Sequence, residues 1–194
     1  MTIHIRIEKL CQKISDQCRN IDRKSIERFL DAIVNAKRVF IAGAGRSGLV
    51  SRAFGMRLMH LGFTVYIVGE VITPAIKEND LLILVSGSGQ TSSMVNIMNT
   101  SKAKGAKIAA VTSYFDSPIG RAADYIVQIK GRTLDDLQRD YTDRQLMGDH
   151  EPMTPLGTLF ELSAMIFFDS IVEELMLRYQ KSEEELRALH TNLE

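Results

Sequence analysis

The sequence predicts a single α/β domain over residues 1–194, with a five-stranded parallel sheet and helices on both of its faces. Five short runs are nearly continuous in apolar residues, which is typical of parallel strands buried on both sides. Helical stretches alternate with these runs, as in βαβ units. A length of 194 residues, with 45% hydrophobic and 25% charged residues, is ordinary for one folded domain. The predicted strands are 38–42, 65–68, 81–85, 107–112 and 125–129, and the predicted helices between them are 47–61, 91–104 and 117–123.

Residues 1–36 are expected to form an N-terminal helical hairpin ahead of the α/β core, which we place at residues 37–180. Apolar residues recur there at helical spacing, and Asp22 is a suitable N-cap for the second helix. Residues 181–194 are expected to form a short capped helix followed by a tail.

The last long helix is predicted over residues 155–180. Thr154 and Pro155 are a favourable N-cap and N1 pair at its start. The polar segment between residue 129 and this pair is expected to be an exposed excursion within the domain. The helix is apolar on nearly all sides, so it must be covered on all sides. One sheet face cannot provide that cover, and we therefore expect a partner subunit.

Charge and composition exclude several classes of protein. The 24 lysines and arginines balance 24 aspartates and glutamates, so the global field that a non-specific nucleic-acid binder uses is absent. No apolar run reaches the ~18 residues needed to span a bilayer, and the N-terminus lacks a signal-peptide core. We therefore expect a cytoplasmic protein. Cys11 and Cys18 would lie about 10.5 Å apart along a helix, too far for a disulfide, and no zinc-binding motif is present.

Two loops follow the first and third predicted strands and open helices. The first is GAGRSG at 43–48, and the second is SGSGQTSS at 86–93, which has five hydroxyl residues among its eight. Open α/β sheets bind ligands at the carboxyl ends of their strands. Helix N-termini offer unpaired N–H groups and a partial positive charge, while glycines let an anion approach the backbone. The pair of loops therefore predicts a phosphate-binding site.

The first loop also matches the Gly-x-Gly-x-x-Gly pattern of a dinucleotide-binding site, through Gly43, Gly45 and Gly48. Glu70 lies near the end of the second strand, where such sites place an acidic residue. The serine-rich second loop has no role in that fingerprint, however, and the chain leaves little room for a separate substrate domain. A tight glycine turn without a ligand is the other alternative.

Together the two loops resemble the pattern of sugar isomerase (SIS) domains, in which Gly-x-Gly-Arg-Ser-Gly and Ser-x-Ser-Gly-x-Thr each connect a strand to a helix. Within this family the chain resembles the 6-phospho-3-hexuloisomerases. Gln90 departs from that family, which often has Glu there, and residues 132–151 match it poorly. The resembling stretches are 43–63, 68–91, 154–161 and 190–193.

The resemblance implies an intramolecular oxidoreductase of the sugar phosphate isomerase class. Its reaction interconverts D-arabino-3-hexulose 6-phosphate and D-fructose 6-phosphate through a 2,3-enediol. This reaction requires a base, an acid and a site that binds the phosphate group. Neither a cofactor nor a metal is needed. The family also implies a homotetramer with a sugar phosphate as its ligand and neither nucleic acid nor membrane as a partner. The substrate-binding residues that it implies are Ser47, Ser86, Gly87, Ser88, Gly89, Gln90 and Thr91.

Glu161 is the candidate catalytic base, because its neighbours on the predicted helix are small or apolar and the family's proton acceptor falls there. A buried glutamate paired with an arginine for structure is the alternative. His190 is the second catalytic candidate, as a proton shuttle or ring opener, since related isomerases carry a histidine near the C-terminus. A surface histidine on a frayed tail is its alternative. Arg46 suits an oxygen of the substrate or an interface. His60, at the end of the first crossover helix, suits a helix cap or a direct role in the chemistry.

Two other functions remain open at the level of sequence. Another SIS isomerase, such as one acting on arabinose 5-phosphate, would use the same motifs. A non-catalytic sugar-phosphate-binding regulator is also possible, although such regulators usually carry a DNA-binding domain. The 36 residues ahead of the core are too few for that domain and a linker.

Overall fold

The computed structural model describes residues 2–131 and 157–189. Within these residues it contains five strands and seven helices. The strands are β1 (Val39–Gly43), β2 (Val65–Ile67), β3 (Leu81–Val85), β4 (Lys107–Thr112) and β5 (Tyr125–Gln128). The helices are α1 (Ile3–Arg19), α2 (Arg23–Asn35), α3 (Gly45–His60), α4 (Ser92–Ala103), α5 (Pro118–Ala122), α6 (Thr158–Arg178) and α7 (Glu183–Ala188).

The five strands form one parallel sheet in the order β2-β1-β3-β4-β5. The predicted parallel sheet is thereby confirmed, and the strand ends differ from the predicted ones by a single residue. From β1 the chain moves outward to β2 and then crosses back to β3, on the other side of β1. The order of the strands therefore reverses between β1 and β3, and such a switch point leaves a crevice at the carboxyl ends of the strands.

Helices cover both faces of the sheet, as predicted. On one face α2, α3 and α6 bury alternate strand residues such as Ile41 and Ile83. On the other face α4 and α5 cover the intervening residues, such as Phe40 and Leu82. Because every residue of β3 is buried, the continuous apolar run in its sequence reflects contact with both layers.

The apolar helix α6 is covered by helices of its own chain. Phe168 stacks on Phe54 of α3 with ring centroids 4.2 Å apart, and Phe167 lies 5.7 Å from Phe29 of α2. Helix α1 packs against the same helix. The cover that we expected from a partner subunit therefore comes largely from within the chain.

The start of α6 differs from the prediction. The described helix begins at Thr158 and its N-cap is Gly157, whose φ of +84° is in the left-handed region that favours glycine. Thr154 and Pro155, the predicted cap pair, lie outside the described residues. The helix ends at Arg178, two residues before the predicted end.

Two predicted helix caps are confirmed. Asp22 accepts a hydrogen bond from the backbone N–H of Ser25 at 2.8 Å and so opens α2. Ser182 and Glu185 form a reciprocal capping box at the start of α7. Cys11 and Cys18 are both free thiols. None of the helices in the described ranges is long and apolar enough to cross a membrane.

A buried ion pair ties the starts of β1 and β3 together. Arg38 donates from Nε to Oδ1 of Asp80 at 2.9 Å and from Nη2 to Oδ2 at 2.5 Å, and the backbone N–H of Lys77 donates to Oδ2 at 2.7 Å. Burial raises the pKa of the Asp80 carboxyl, but these hydrogen bonds outweigh it and hold that pKa below its usual value. The folded chain therefore stabilises the carboxylate form of Asp80 relative to the unfolded chain.

We expect Asp80→Asn to lower the free energy of unfolding by about 3 kcal/mol near neutral pH, because it leaves the Arg38 charge unpaired. A lowered folded-state pKa contributes stability above the unfolded pKa, and this contribution is lost as the pH falls through the folded value. The difference between the two proteins should therefore shrink in acid, below about pH 4. Urea unfolding across pH, with the exposed Asp31→Asn as a control, measures it. A difference that stays constant down to the acid limit would contradict this assignment.

Candidate active site

The two glycine loops lie side by side at the switch point of the sheet. In the pairing of β1 with β3, Gly43 lies opposite Val85, so both strands end at the same level. The first loop leads from Gly43 into α3, and the second leads from Val85 into α4. The sequence placed both loops at strand ends, and the strand order makes them neighbours.

Both helices that leave these loops begin without a side-chain cap. Ala44 is the N-cap of α3 and has no side chain able to accept a hydrogen bond, and the hydroxyl of Thr91 makes no capping bond at the start of α4. Neither helix has an acidic residue in its first turn. Unpaired N–H groups and two positive helix ends therefore converge on one crevice, an arrangement suited to an anion.

The glycines of the first loop allow helix α3 to approach strand β1. A Cβ on Gly43 would lie 2.7 Å from the carbonyl oxygen of Ser47, and one on Gly48 would lie 2.7 Å from that of Gly43. Gly45 has a φ of +58° and faces open space. Close packing thus explains two of the three glycines. Glu70, the acidic residue of the dinucleotide alternative, is engaged by Arg52 at 2.8 Å.

The second loop folds around the backbone of Gly89. Its N–H donates to the carbonyl oxygen of Ser86 at 3.1 Å and to the Ser86 hydroxyl at 3.2 Å. Its φ is +63°, and a Cβ there would lie 2.0 Å from Oγ of Ser117. Glycine is therefore required at this position both for conformation and for space.

The predicted substrate-binding residues fall into two groups. Ser86 and Gly89 are buried and shape the loop, and Gly87 packs against the ring of Phe160. Ser88 accepts a hydrogen bond from the backbone N–H of Gln90 at 3.3 Å. The remaining predicted residues, Ser47, Gln90 and Thr91, are half-buried or exposed in the first turn of a helix or just before it.

Helix α6 brings Glu161 to the same crevice. This glutamate lies in the first turn of the helix and is only 9% exposed. Its Oε2 accepts a hydrogen bond from Nε of Arg46, which belongs to the first loop. The positive N-terminus of α6 also faces the carboxylate. The Glu161 carboxylate therefore lies next to two positive groups.

Gly157 leaves room for this carboxylate. A Cβ at Gly157 would lie 3.1 Å from Oε1 of Glu161. The carboxylate is therefore folded back over the start of its own helix. The sequence indicated that the neighbours of Glu161 would be small or apolar, but it could not distinguish a free base from one paired with an arginine.

The structure also shows that the Arg46 side chain is 60% exposed although its Nε binds a buried carboxylate. The outer edge of its guanidinium group is therefore open to a ligand in the crevice. The structural alternative for Glu161 predicted that this glutamate would pair with an arginine, and that pairing is present. Its geometry nevertheless leaves the Arg46 guanidinium group able to bind a ligand.

The two candidate histidines lie elsewhere. His60 is buried at the C-terminal end of α3, about 22 Å along the helix axis from its first turn. It is too distant to act in the crevice of its own chain. His190 lies outside the described residues. Among those residues, no cluster of histidine, cysteine, aspartate and glutamate could hold a metal ion.

Comparison with known proteins identifies the class of this domain. The SIS domain model matches residues 32–135, which include both glycine loops. The chain belongs to the SIS domain family. The dinucleotide-binding alternative is therefore set aside.

Relatives at higher identity cover nearly the whole chain. The 3-hexulose-6-phosphate isomerase of Bacillus subtilis is 34% identical over 188 residues, covering 97% of this chain and 98% of that protein. The enzyme of the same name from Mycobacterium gastri is 38% identical over 182 residues, covering 94% and 86%. A crystal structure from Methanococcus jannaschii, whose reported molecular function was inferred to be 3-hexulose-6-phosphate isomerase, is 33% identical with a TM-score of 0.80, covering 97% and 98%.

We expect Gly89→Ala to weaken the binding of a sugar phosphate at the second loop, because the new methyl would overlap the Ser117 hydroxyl. Gly105→Ala is the matched control: its φ is also positive, at +81°, but its Cβ would meet nothing closer than 3.5 Å. Both variants should lose about 1 kcal/mol of stability from backbone strain. Calorimetric titration with fructose 6-phosphate should show a loss of affinity of tenfold or more for Gly89→Ala alone. Equal affinities in the two variants would contradict this role for the loop.

Proposed function

We propose that this protein interconverts D-arabino-3-hexulose 6-phosphate and D-fructose 6-phosphate. The observation that carries this proposal is the placement of the Glu161 carboxylate beside two uncapped helix N-termini. Such a site can hold a phosphate at one end and remove a carbon-bound proton at the other. Full-length relatives named for this reaction support the choice of substrate.

In this proposal the phosphate group binds where α3 and α4 begin. Backbone N–H groups of the two first turns, with the hydroxyls of Ser47, Ser88 and Thr91, donate to its oxygens. Binding energy from this remote group orients the reacting carbons. The chain needs no overall positive charge for this task, because the attraction is local.

Glu161 then moves a proton between neighbouring carbons. Its carboxylate removes the proton from C2 of the 3-hexulose, and the electrons of the C–H bond form the C2–C3 double bond of the enediol while O3 gains a proton. The protonated carboxyl returns a proton to C3, the O2 proton leaves, and the carbonyl forms at C2. One carbon is oxidised and its neighbour is reduced, so the reaction is an intramolecular oxidation and reduction.

Arg46 and His190 complete the proposed machinery. The exposed edge of the Arg46 guanidinium group suits the oxygens on C2 and C3, where negative charge develops. A donor already bound to the base also positions that base relative to these oxygens. We propose that His190 opens the sugar ring or carries protons between the two oxygens, in its own subunit or in a neighbouring one.

Glu161→Gln should lower kcat by about 10²–10⁴-fold, because the amide cannot accept the proton. KM should change little, since the residues that bind the phosphate are unchanged. A coupled assay that detects fructose 6-phosphate from the 3-hexulose phosphate measures both constants. Glu173→Gln, an exposed change on the same helix, should behave like the unmodified protein.

The outcomes separate the possible functions. Turnover at the unmodified rate in Glu161→Gln would show that another group is the base. A protein that prefers arabinose 5-phosphate would belong to a different isomerase class. Binding of sugar phosphates without turnover of either substrate would instead indicate a regulator.

We also propose that the enzyme is a cytoplasmic homo-oligomer, with a tetramer as the expected form. Since the chain itself covers most of α6, the support now comes from other residues. Leu49, Met56 and Met59 are exposed at helical spacing on α3, which begins in the candidate site. Val71 and Ile72 are exposed just after Glu70, whose carboxylate binds the same helix. An apolar surface of this kind is typical of an interface.

Light scattering at micromolar concentration should give a mass of four times 21.8 kDa. Met56→Asp should shift this mass downward, because it places a charge in the apolar surface. A stable monomer of the unmodified protein would contradict the proposed assembly. An unchanged mass for Met56→Asp would place the interface elsewhere.

A further inference from the structure

Phe160 connects the phosphate-binding loop to the candidate base. It directly precedes Glu161 in α6, and it is 2% exposed. A Cβ on Gly87 would lie 3.2 Å from Cδ1 of this ring and 3.3 Å from its Cγ. The ring therefore lies against the backbone of the second loop, where a side chain on residue 87 would force it to shift by a few tenths of an ångström.

A second glycine holds Phe160 from another side. A Cβ on Gly131, just beyond β5, would lie 2.5 Å from Cβ of Phe160 and 3.0 Å from its Cα. Neither Gly87 nor Gly131 has a positive φ, so conformation does not require glycine at either position. The absence of a side chain at both positions serves the close approach of Phe160.

The loop cannot move away from the ring, because its far side is also held. The carbonyl oxygen of Gly87 accepts a hydrogen bond from the backbone N–H of Ser113 at 3.0 Å and from the Thr112 hydroxyl at 3.3 Å. Gly87 is thus fixed between β4 and the aromatic ring. The spacing between the loop and the first turn of α6 is therefore set by the thickness of one side chain.

We propose that Phe160 is a positioning residue that sets the distance between the bound phosphate and the Glu161 carboxylate. This inference rests on the proposed function. In the six-carbon substrate, C3 lies three carbon–carbon bonds from the phosphate-bearing C6. A displacement of the phosphate-binding loop by about 1 Å would misplace the reacting carbons relative to the carboxylate, and a misplacement of that size reduces the rate about 10²-fold.

Phe160→Leu tests this role, because leucine stays apolar but removes the ring from Gly87. We expect kcat for the 3-hexulose phosphate to fall at least tenfold while KM changes less than threefold, since the phosphate grip remains. Phe167→Leu is the matched control. Its ring is also buried on α6 but contacts Phe29 and Phe168 rather than the loop, so kcat should stay within twofold of the unmodified protein.

A double variant separates positioning from general damage to the core. Gly87→Ala pushes a methyl group against the ring, so it should also lower kcat. In Gly87→Ala/Phe160→Leu the methyl fills part of the space that the ring leaves, and kcat should recover at least fivefold over Gly87→Ala. Losses that simply multiply would overturn the proposal. Thermal melting tests whether each variant is folded. If Phe160→Leu does not fold, Gly131→Ala replaces it as the test: it displaces Phe160 from the other side and should also lower kcat.

Failure of this inference can be told apart from failure of the proposed function. An unmodified protein that does not convert the 3-hexulose phosphate would overturn both. An active protein in which Phe160→Leu and Phe167→Leu behave alike would leave the isomerase activity standing and overturn only the role of Phe160.

Discussion

The candidate site depends most on the contact that the first turn of α6 makes with both glycine loops. Glu161 accepts a hydrogen bond from Arg46 of the first loop, and Phe160 packs on Gly87 of the second. These contacts come from adjacent residues of one helix, so a single helical turn connects the two loops and the carboxylate. Farther along, Phe168 anchors the helix by stacking on α3. A well-packed helix thus holds the base in place, which a mobile loop would do less precisely.

Charge at the site is arranged locally. The chain as a whole is neutral, yet the crevice combines three helix N-termini with the Arg46 guanidinium group. One carboxylate, Glu161, offsets part of this positive charge. A dianionic phosphate can therefore be attracted by backbone dipoles without any excess of basic residues. An extended polyanion such as nucleic acid would draw on positive charge spread over a surface, whereas a small dianion needs only this local charge.

Much of the fold could be predicted from the sequence, because strands buried on both faces are read directly from continuous apolar runs such as LLILV at 81–85. The cap at Asp22 was also predicted, because capping depends on residues within one helical turn. The prediction was less accurate for α6. Its apolar sequence suggested a partner subunit, but Phe54 and Phe29 from its own chain cover it, and periodicity does not say which element provides the cover.

The sequence by itself determined the α/β class, the two glycine loops and the row of hydroxyls after β3, since each depends on residue types at short spacing. Only the tertiary structure decided that Arg46 meets Glu161, 115 residues away, that Phe160 rests on Gly87, and that Ser117 lies where a side chain on residue 89 would be. These contacts depend on the strand order and on the direction of each crossover. Local patterns do not encode the strand order, because the same strands and helices could be placed in a different order across a sheet.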